Sequence, residues 1–535
     1  MPTNDGYQER IDKLLRIGTA LSSERNLDKL LEMILDLARE FTQADAGTLY
    51  LVSEPTQELR FAILHNDTFK SRMGGTSGNE VKLPPVPLLK DGAQNAANVA
   101  AYVGNTGNLV NIPDVYIAEG FDFTGPRKYD QMTGYRTKSM LCVPMRNHEN
   151  EIIGVLQLIN AKDSDTGEVI AFAEEYNALT ESLASQAAVA LNNAQLINDL
   201  KELFESFIKS IAAAIDRKSP YTGGHIRRVA DLTIMIAQKV NDMDHGPYAN
   251  VKFTADELEE LRIAAWLHDI GKITTPEHVV DKATKLETIF DRIELIKTRF
   301  DAIKKETQTK ALQRKVDLLS NGADPVALSL IDETLQQDTL QLDADLDFLV
   351  TINKGGEFME EEKIERLKSI SRRTYECNGE LRPYLSENEV YNLSIKKGTL
   401  NNEDRKKIEE HALVSIEMLQ ELPFPKKLRH VPEYAGGHHE KLNGKGYPFG
   451  LTAEQLPLQA RIMAVADIFE ALTAHDRPYK RPMSLSKAVQ IMGFFVKDQE
   501  LDPEIVNNIF IKEGLFLDYA RREMDPTQID EVTIG

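Results

Sequence analysis

The chain has 535 residues, of which 42% are hydrophobic, 27% charged and 7% aromatic. This composition is typical of folded protein, and the length predicts several domains rather than one hydrophobic core. There are 63 basic and 84 acidic residues, which gives a formal net charge of −21. Proteins that bind duplex DNA neutralise phosphates with a basic surface, so this charge argues against duplex nucleic acid as a partner. A small anionic substrate is still compatible with a local cluster of cations.

The amino-terminal segment and the cysteines indicate the compartment. The opening residues MPTNDGYQERIDKLL lack the basic and apolar blocks of a signal peptide, and no apolar run reaches the ~20 residues that span a bilayer. The two cysteines, Cys142 and Cys377, lie far apart and form no CxxC pattern. We therefore expect a cytoplasmic protein with reduced thiols and no association with a membrane.

The first third of the chain mixes helical and β-type patterns. Apolar periodicity predicts helices over 11–21 and 27–41, and short apolar or alternating runs predict strands over 47–53, 59–64, 139–145 and 151–160. The polar turn 146–150 predicts that the last two strands form a hairpin. An α+β domain is expected, with an antiparallel sheet flanked by helices.

Two stretches carry a resemblance to a known family, Lys138-Ser-Met-Leu-Cys-Val-Pro-Met145 and Ile153-Gly-Val-Leu-Gln-Leu-Ile-Asn160. Together with the order of elements, they resemble a GAF domain, which we assign to residues 1–196. GAF domains commonly bind small ligands, so the resemblance implies a sensor. The motif of relatives that bind cyclic nucleotides is matched only in part, by Asn160-Ala-Lys162, Phe172 and Glu174-Glu175. Two roles of this domain are therefore possible: it binds a ligand, or it serves dimerisation or signal transmission.

A linker helix is predicted over residues 174–211. Apolar residues recur there at steps of four and three, close to the spacing of a coiled-coil seam: Leu196, Leu200, Leu203, Phe207 and Ile211. The pattern favours a parallel homodimer through this helix. Because fewer than four heptads are present, an amphipathic helix packed on its own domain is the alternative.

Downstream, histidines and carboxylates occur in a series of short motifs. The candidate metal-ligating residues are His225, His268, Asp269, His411, His438, His439 and Asp467. Imidazole and carboxylate ligands without a thiolate suit iron or manganese, or zinc, better than a soft metal. An aspartate beside a histidine can bridge two cations while the histidine binds one. Two cations ~4 Å apart activate water and hold phosphoryl oxygens, which is the chemistry of phosphoester hydrolysis.

Six motifs carry a second resemblance. They are Pro220-Tyr-Thr-Gly-Gly-His225, His268-Asp-Ile-Gly-Lys272, His438-His-Glu440, Gly446-Tyr-Pro448, Ala466-Asp-Ile-Phe-Glu-Ala-Leu472 and Arg477-Pro-Tyr-Lys480. In this order they resemble the HD-GYP family, a branch of the HD phosphohydrolases. We assign residues 204–287 and 394–535 to the two parts of one all-α HD-GYP domain.

The resemblance implies a two-metal site, most readily for iron or manganese. All seven candidate residues would be ligands, with Asp269 as the bridging carboxylate, and Lys272 would contact the reacting phosphate or its nucleophile. Asp269 and Lys272 are therefore the expected catalytic residues. Some relatives hold a third metal with a glutamate where Pro220 and Tyr221 stand here, so two metals are favoured. Glu470 occupies a position where the family more often has aspartate.

The implied function is a GAF-regulated phosphodiesterase that hydrolyses cyclic di-GMP to linear pGpG and, in a further cut, to GMP. Gly446 and Tyr447 form a predicted substrate lip, since glycine allows close approach and tyrosine offers a ring or hydroxyl; a tight turn is the alternative. Arg477 and Lys480 are predicted to contact the second phosphate, or are solvated charges. Two other functions stay open: hydrolysis of another cyclic dinucleotide such as cyclic GMP-AMP, and a non-catalytic nucleotide-binding receptor.

Residues 288–393 interrupt the HD-GYP resemblance, where the family usually has a short connection. Apolar residues follow helical spacing on both sides of Asn321-Gly322: Ile289, Ile293, Ile296, Phe300 and Ile303, then Leu328, Ile331, Leu335, Leu342, Leu346 and Leu349. This predicts an antiparallel helical hairpin, with a third helix near 360–370. No polar residue in the segment has ligand spacing, so a structural insertion is favoured over a regulatory cap or dimer contact.

Overall fold

The structure is a computed structural model that describes residues 18–532, apart from 22, 25, 54–55, 219–223, 323, 357, 378 and 475–482. The chain divides into two compact units, Met1–Phe204 and Glu205–Gly535. The boundary falls within one long helix, Glu175–Lys218. In the described part of the chain, no helix combines the length and apolarity needed to cross a bilayer.

The first unit is built on one antiparallel sheet with the strand order β3-β2-β1-β9-β8-β7, in which β4 also pairs with β2 and β10 with β9. The strands are β1 (Ala44–Ser53), β2 (Glu58–Asn66), β3 (Ser71–Gly74), β4 (Val86–Pro87), β5 (Leu89–Lys90), β6 (Ala93–Gln94), β7 (Val110–Ile112), β8 (Met140–Arg146), β9 (Ile152–Lys162) and β10 (Val169–Ile170). Strands β5 and β6 pair separately. Strands β8 and β9 form the predicted hairpin.

Helices cover both faces of this sheet. They are α1 (Leu27–Thr42), α2 (Val99–Thr106), α3 (Thr124–Thr133) and α4 (Glu175–Lys218). Leu49 on β1 lies beside Ile63 and Leu156 of the neighbouring strands, and all three pack in the core that contains α1 and the first turns of α4. The alternate residue Tyr50 points to the opposite core with α2, as the two-residue period of a strand requires. The predicted α+β domain with an antiparallel sheet is confirmed.

The second unit is helical. Its helices are α5 (His225–Asp242), α6 (Ala255–Leu267), α7 (Glu277–Val280), α8 (Ile293–Ser320), α9 (Pro325–Asn353), α10 (Glu361–Ser371), α11 (Glu387–Leu393), α12 (Asn402–Gln420), α13 (Val431–Gly436), α14 (Leu458–Thr473), α15 (Leu485–Lys497) and α16 (Leu515–Glu523). A π-helical segment, Glu504–Lys512, follows α15. Helix α5 packs on α6 and α14, and α12 packs on α13 and on the 3₁₀ turn Ile270–Thr274. These contacts bring the histidine-bearing segments together.

The inserted segment has its own apolar core, which contains residues of α8, α9, α10 and α11. The predicted helical hairpin is confirmed, since α8 and α9 meet at Asn321-Gly322, and α10 is the predicted third helix. Ile289 was wrongly placed in the helical seam: it is 93% exposed, because it lies in the turn before α8. A β-hairpin of β11 (Thr374–Cys377) and β12 (Glu380–Pro383) was not predicted.

Helix α4 extends beyond the predicted linker to Lys218. Its middle stretch carries apolar side chains that are 53% to 66% exposed: Leu196, Ile197, Leu200, Leu203 and Phe207. Ile211 is half-buried, whereas Ile208 and Ile215 are buried. We call the exposed set the α4 stripe. Within the described residues it is an apolar surface whose side chains are all more than half exposed.

Candidate metal centre

The structure brings together all seven side chains that the sequence singled out as metal ligands. His225 begins α5, His268 and Asp269 follow α6, and His411 lies in α12. His438 and His439 follow α13, and Asp467 lies in α14. Six of the seven are less than 9% exposed, and His439 is partly exposed. Residues from distant parts of the chain therefore form one buried polar cluster.

The Asp269 carboxylate lies at the centre of this cluster. Its Oδ2 atom is 3.5 Å from His225 Nε2 and 3.3 Å from His268 Nε2. Its Oδ1 atom is 3.3 Å from His411 Nε2 and 3.9 Å from His438 Nε2. The two oxygens therefore face two different pairs of imidazoles, which is the placement needed by a carboxylate that bridges two cations.

Two groups of ligand atoms flank Asp269, and a third, overlapping group joins His268, Asp269 and His438. Of the two flanking groups, one contains His225, His268 and Asp467, and the other contains His411, His438 and His439; within each group the ligand atoms lie within 4.8 Å of one another. Asp467 Oδ1 is 3.4 Å from His225 Nε2, and its Oδ2 is 4.0 Å from His439 Nδ1. The arrangement offers one set of three donors for each of two cations, with Asp269 between them.

Backbone carbonyls fix the orientation of three of the imidazoles. The Nδ1 atom of His268 lies 2.8 Å from the Ala265 carbonyl oxygen, and that of His438 lies 2.5 Å from the Ala435 carbonyl oxygen. His411 Nδ1 makes the same contact with the carbonyl three residues before it. Because a carbonyl only accepts, each Nδ1 carries a proton, and Nε2 is the ring atom that faces Asp269.

The atoms that face the centre lack hydrogen-bond partners. The Nε2 atoms of His268, His411 and His438 and the Oδ1 atom of Asp269 are buried without a partner among the described residues. Buried polar atoms left without partners carry a desolvation penalty of about 1–3 kcal/mol each, so such a concentration needs an explanation. Divalent cations take imidazole nitrogen and carboxylate oxygen atoms as ligands, and the donor set therefore fits two such ions.

Burial and charge set the protonation states of the cluster. Burial lowers the pKa of His438 well below its usual range and that of His439 to about 3, which keeps both imidazoles neutral. Burial opposes ionisation of Asp269, but His268 and Lys272 outweigh it and hold the pKa of that carboxyl well below its usual range. Neutral imidazoles and ionised carboxylates are the forms that bind metal. His225 departs from this pattern, because Glu470 outweighs burial and raises the pKa of its imidazole well above the usual range.

Glu470 supports His225 from the side away from the centre. It is fully buried on α14, one helical turn after Asp467, and it accepts a hydrogen bond from His225 Nδ1. Arg228 Nε donates to the same carboxylate at 2.7 Å. Sequence reasoning noted Glu470 only as a departure from the family pattern. Its spacing of three from Asp467, which places both on one helix face, was the available signal.

The predicted catalytic lysine and substrate lip lie beside the cluster. Lys272 Nζ is 2.5 Å from Asp269 Oδ2, and its side chain is 28% exposed. The Tyr447 ring centroid is 4.8 Å from that of His439, and burial raises the pKa of the Tyr447 phenol, which keeps it protonated. A Cβ atom on Gly446 would lie 2.4 Å from Glu440 Cα, so glycine is needed for this close approach.

The two predicted phosphate-binding cations, Arg477 and Lys480, lie outside the described residues. So do residues 220–223 of the motif that precedes His225. The contact of Arg477 and Lys480 with substrate stays a prediction.

Comparison with known families assigns domains to both units. A GAF domain matches residues 26–191, and HD domains match residues 222–330 and 387–505. The two HD matches include all seven clustered residues. The chain therefore carries a GAF domain followed by HD-domain sequence, as its sequence motifs predicted.

Relatives that match parts of this chain are named as cyclic dinucleotide phosphodiesterases. A probable cyclic di-GMP phosphodiesterase of Vibrio cholerae serotype O1 is 35% identical over 141 residues, 25% of this chain and 31% of that protein. The 3'3'-cGAMP-specific phosphodiesterase 1 of the same organism is 40% identical over 114 residues, 21% of this chain and 26% of that protein. The 3'3'-cGAMP-specific phosphodiesterase 3 of the same organism is 40% identical over 98 residues, 18% of this chain and 20% of that protein. The matches thus span a third or less of each relative.

Proposed function

We propose that this protein is a metal-dependent phosphodiesterase that hydrolyses cyclic di-GMP to linear pGpG, with GMP as the product of a further cut. The observation that carries the proposal is the set of buried imidazole and carboxylate atoms that converge on Asp269 without other partners. The name of the cyclic di-GMP relative supports the substrate class. The GAF domain supplies a separate folded unit through which turnover would be regulated.

In this proposal, one divalent cation would be held by His225, His268 and Asp467 and a second by His411, His438 and His439, and Asp269 would contribute to both sites. Bound iron or manganese ions supply Lewis-acid activation of water and neutralise phosphoryl oxygens. The carbonyl contacts of the imidazoles keep the donor atoms aimed at the centre, so little reorganisation is needed during the reaction.

The remaining residues act on the substrate. The Lys272 ammonium, held beside Asp269, donates hydrogen bonds to a non-bridging phosphate oxygen as negative charge develops there. The protonated Tyr447 phenol, packed against His439, donates a hydrogen bond to the nucleotide. Gly446 lets the backbone of the lip lie directly against Glu440.

The central test joins metal analysis to turnover. Protein purified without oxygen should contain about two metal ions per chain, most readily iron or manganese, and should convert cyclic di-GMP to pGpG. Mass spectrometry counts the metal, and chromatography separates pGpG from GMP. If the protein binds the nucleotide tightly but shows no turnover with iron, manganese or zinc, its function is that of a nucleotide-binding receptor and not of an enzyme.

A second substrate is favoured by a specific observation. Two relatives that are 40% identical over 114 and 98 residues of this chain are named as specific for 3'3'-cGAMP. The same cluster serves either cyclic dinucleotide, because both present the same phosphodiester to the metals. Parallel turnover measurements decide between them: a higher kcat/KM for cyclic GMP-AMP would assign that substrate.

We further propose a parallel homodimer through the α4 stripe. Apart from Ile197, its apolar residues recur at steps of four and three, and all of them stay exposed in the single chain, so a second copy of α4 would remove them from water. The double variant Leu200→Glu and Leu203→Glu should weaken the dimer at least about tenfold, because two charges would be buried in the seam. Sedimentation across micromolar concentrations measures this effect.

Lys201→Glu, on the same helix and exposed, is the matched control and should leave dimerisation unchanged. A wild-type protein that sediments only as a monomer at micromolar concentration would reject the dimer.

A further inference from the structure

The lip loop, defined here as residues 441–451, exposes one aromatic side chain. Within 441–450, Lys445 and Phe449 are the two exposed residues, and Phe449 is 61% exposed. Scattered exposed apolar residues are common and need no explanation by themselves. Phe449 differs in two respects: its backbone is tightly held, and it lies close in sequence to a residue that contacts the metal centre.

The buried Glu440 holds the backbone of this loop. Its Oε1 atom accepts hydrogen bonds from the Phe449 amide at 2.7 Å and the Gly450 amide at 3.1 Å, and its Oε2 atom accepts one from the Leu451 amide at 2.9 Å. Glu440 is 2% exposed and directly follows His439 in the chain. Three charge-assisted hydrogen bonds therefore tie the backbone around Phe449 to the segment that carries two candidate ligands.

Phe449 lies two residues after Tyr447, on the loop that follows His439. The Tyr447 ring packs against His439, and two residues of chain span at most about 7 Å. The Phe449 backbone is thus close to the cluster, while its ring faces solvent. A rigid loop that holds an aromatic ring in water beside a phosphodiester site is pre-organised for a flat ligand group.

We propose that Phe449 forms a purine-stacking subsite, in which its ring stacks on one base of the substrate while the phosphodiester lies at the metal centre. This inference rests on the proposed function, because it takes the substrate to be a purine dinucleotide. Every base offers a π face, so stacking adds affinity without distinguishing guanine from adenine. The exposed Lys445 ammonium of the same loop adds attraction for the anionic nucleotide to a chain whose net charge is −21.

The kinetic test is Phe449→Ala in the full-length, metal-loaded protein. KM for cyclic di-GMP should rise about tenfold, the lower end of the effect of losing one stacked base, while kcat changes by less than about twofold. Phe449→Trp should restore the wild-type KM, and cyclic di-UMP should show a smaller change because pyrimidines stack less. Phe358→Ala removes an equally exposed phenylalanine from the inserted segment and should leave KM unchanged.

A binding test separates this inference from the proposed activity. Cyclic di-GMP with 2-aminopurine in place of one guanine should lose fluorescence on mixing with wild-type protein, and the quenching should disappear in Phe449→Ala. If the wild-type protein quenches the fluorescence but does not hydrolyse cyclic di-GMP, the proposed activity is rejected and the stacking subsite is retained. Equal KM values and equal quenching in wild type and Phe449→Ala would overturn the subsite, as would the absence of quenching in the wild type.

Discussion

Replacement of Asp269 by asparagine should reduce hydrolysis of cyclic di-GMP to less than about one thousandth and should remove most of the bound metal. Asparagine keeps the size of the side chain but loses the charge and one acceptor oxygen. Four Nε2 atoms lie 3.3 Å to 3.9 Å from the Asp269 oxygens, so both proposed cations depend on this carboxylate. Metal content by mass spectrometry and product formation by chromatography measure the two losses.

The control for Asp269→Asn is Asp502→Asn in the same unit. Asp502 is also buried, and it binds Arg461 and Tyr248 rather than imidazoles. Its loss should lower stability without lowering the metal content of the folded protein. Undiminished hydrolysis in Asp269→Asn would contradict the assignment of the metal centre.

The cluster could be predicted as a set of residues because each part sits in a short local motif. His268 is adjacent to Asp269 in the chain, and His438 to His439. The resemblance to the HD-GYP family implied the other three ligands, His225, His411 and Asp467. The contacts that orient these side chains could not be predicted in the same way. The Nδ1 contact of His268 with a carbonyl depends on how α6 ends, and the bond from His225 to Glu470 joins helices that are far apart in sequence.

The fold was predictable where apolar periodicity is long. The β8–β9 hairpin and helices α8 and α9 each bury a regular apolar pattern, which is the strongest signal in a single sequence. The hairpin of β11 and β12 gave no such signal, because each strand has four residues and charged side chains interrupt both. Ile289 was misplaced because it continues the helical spacing by one step into a turn.

Glu470→Gln should weaken metal binding by about 10-fold to 100-fold, the usual effect of removing a group that orients a metal-bound histidine. The amide keeps the volume of the carboxylate but offers a single acceptor oxygen, so it cannot receive both the His225 and the Arg228 hydrogen bonds as an ionised carboxylate does. Titration of metal-depleted protein with manganese measures the affinity. Turnover at saturating metal should recover part of the wild-type rate.

A matched control separates this orienting effect from general destabilisation. Glu389 is buried in the inserted segment and binds Arg299 at 2.8 Å, so Glu389→Gln also removes the charge of a buried ion pair. Both variants should lose roughly 1–3 kcal/mol of stability, because each leaves an arginine without its carboxylate. Only Glu470→Gln should lose metal affinity. Equal manganese affinity in the two variants would show that His225 keeps its orientation without Glu470.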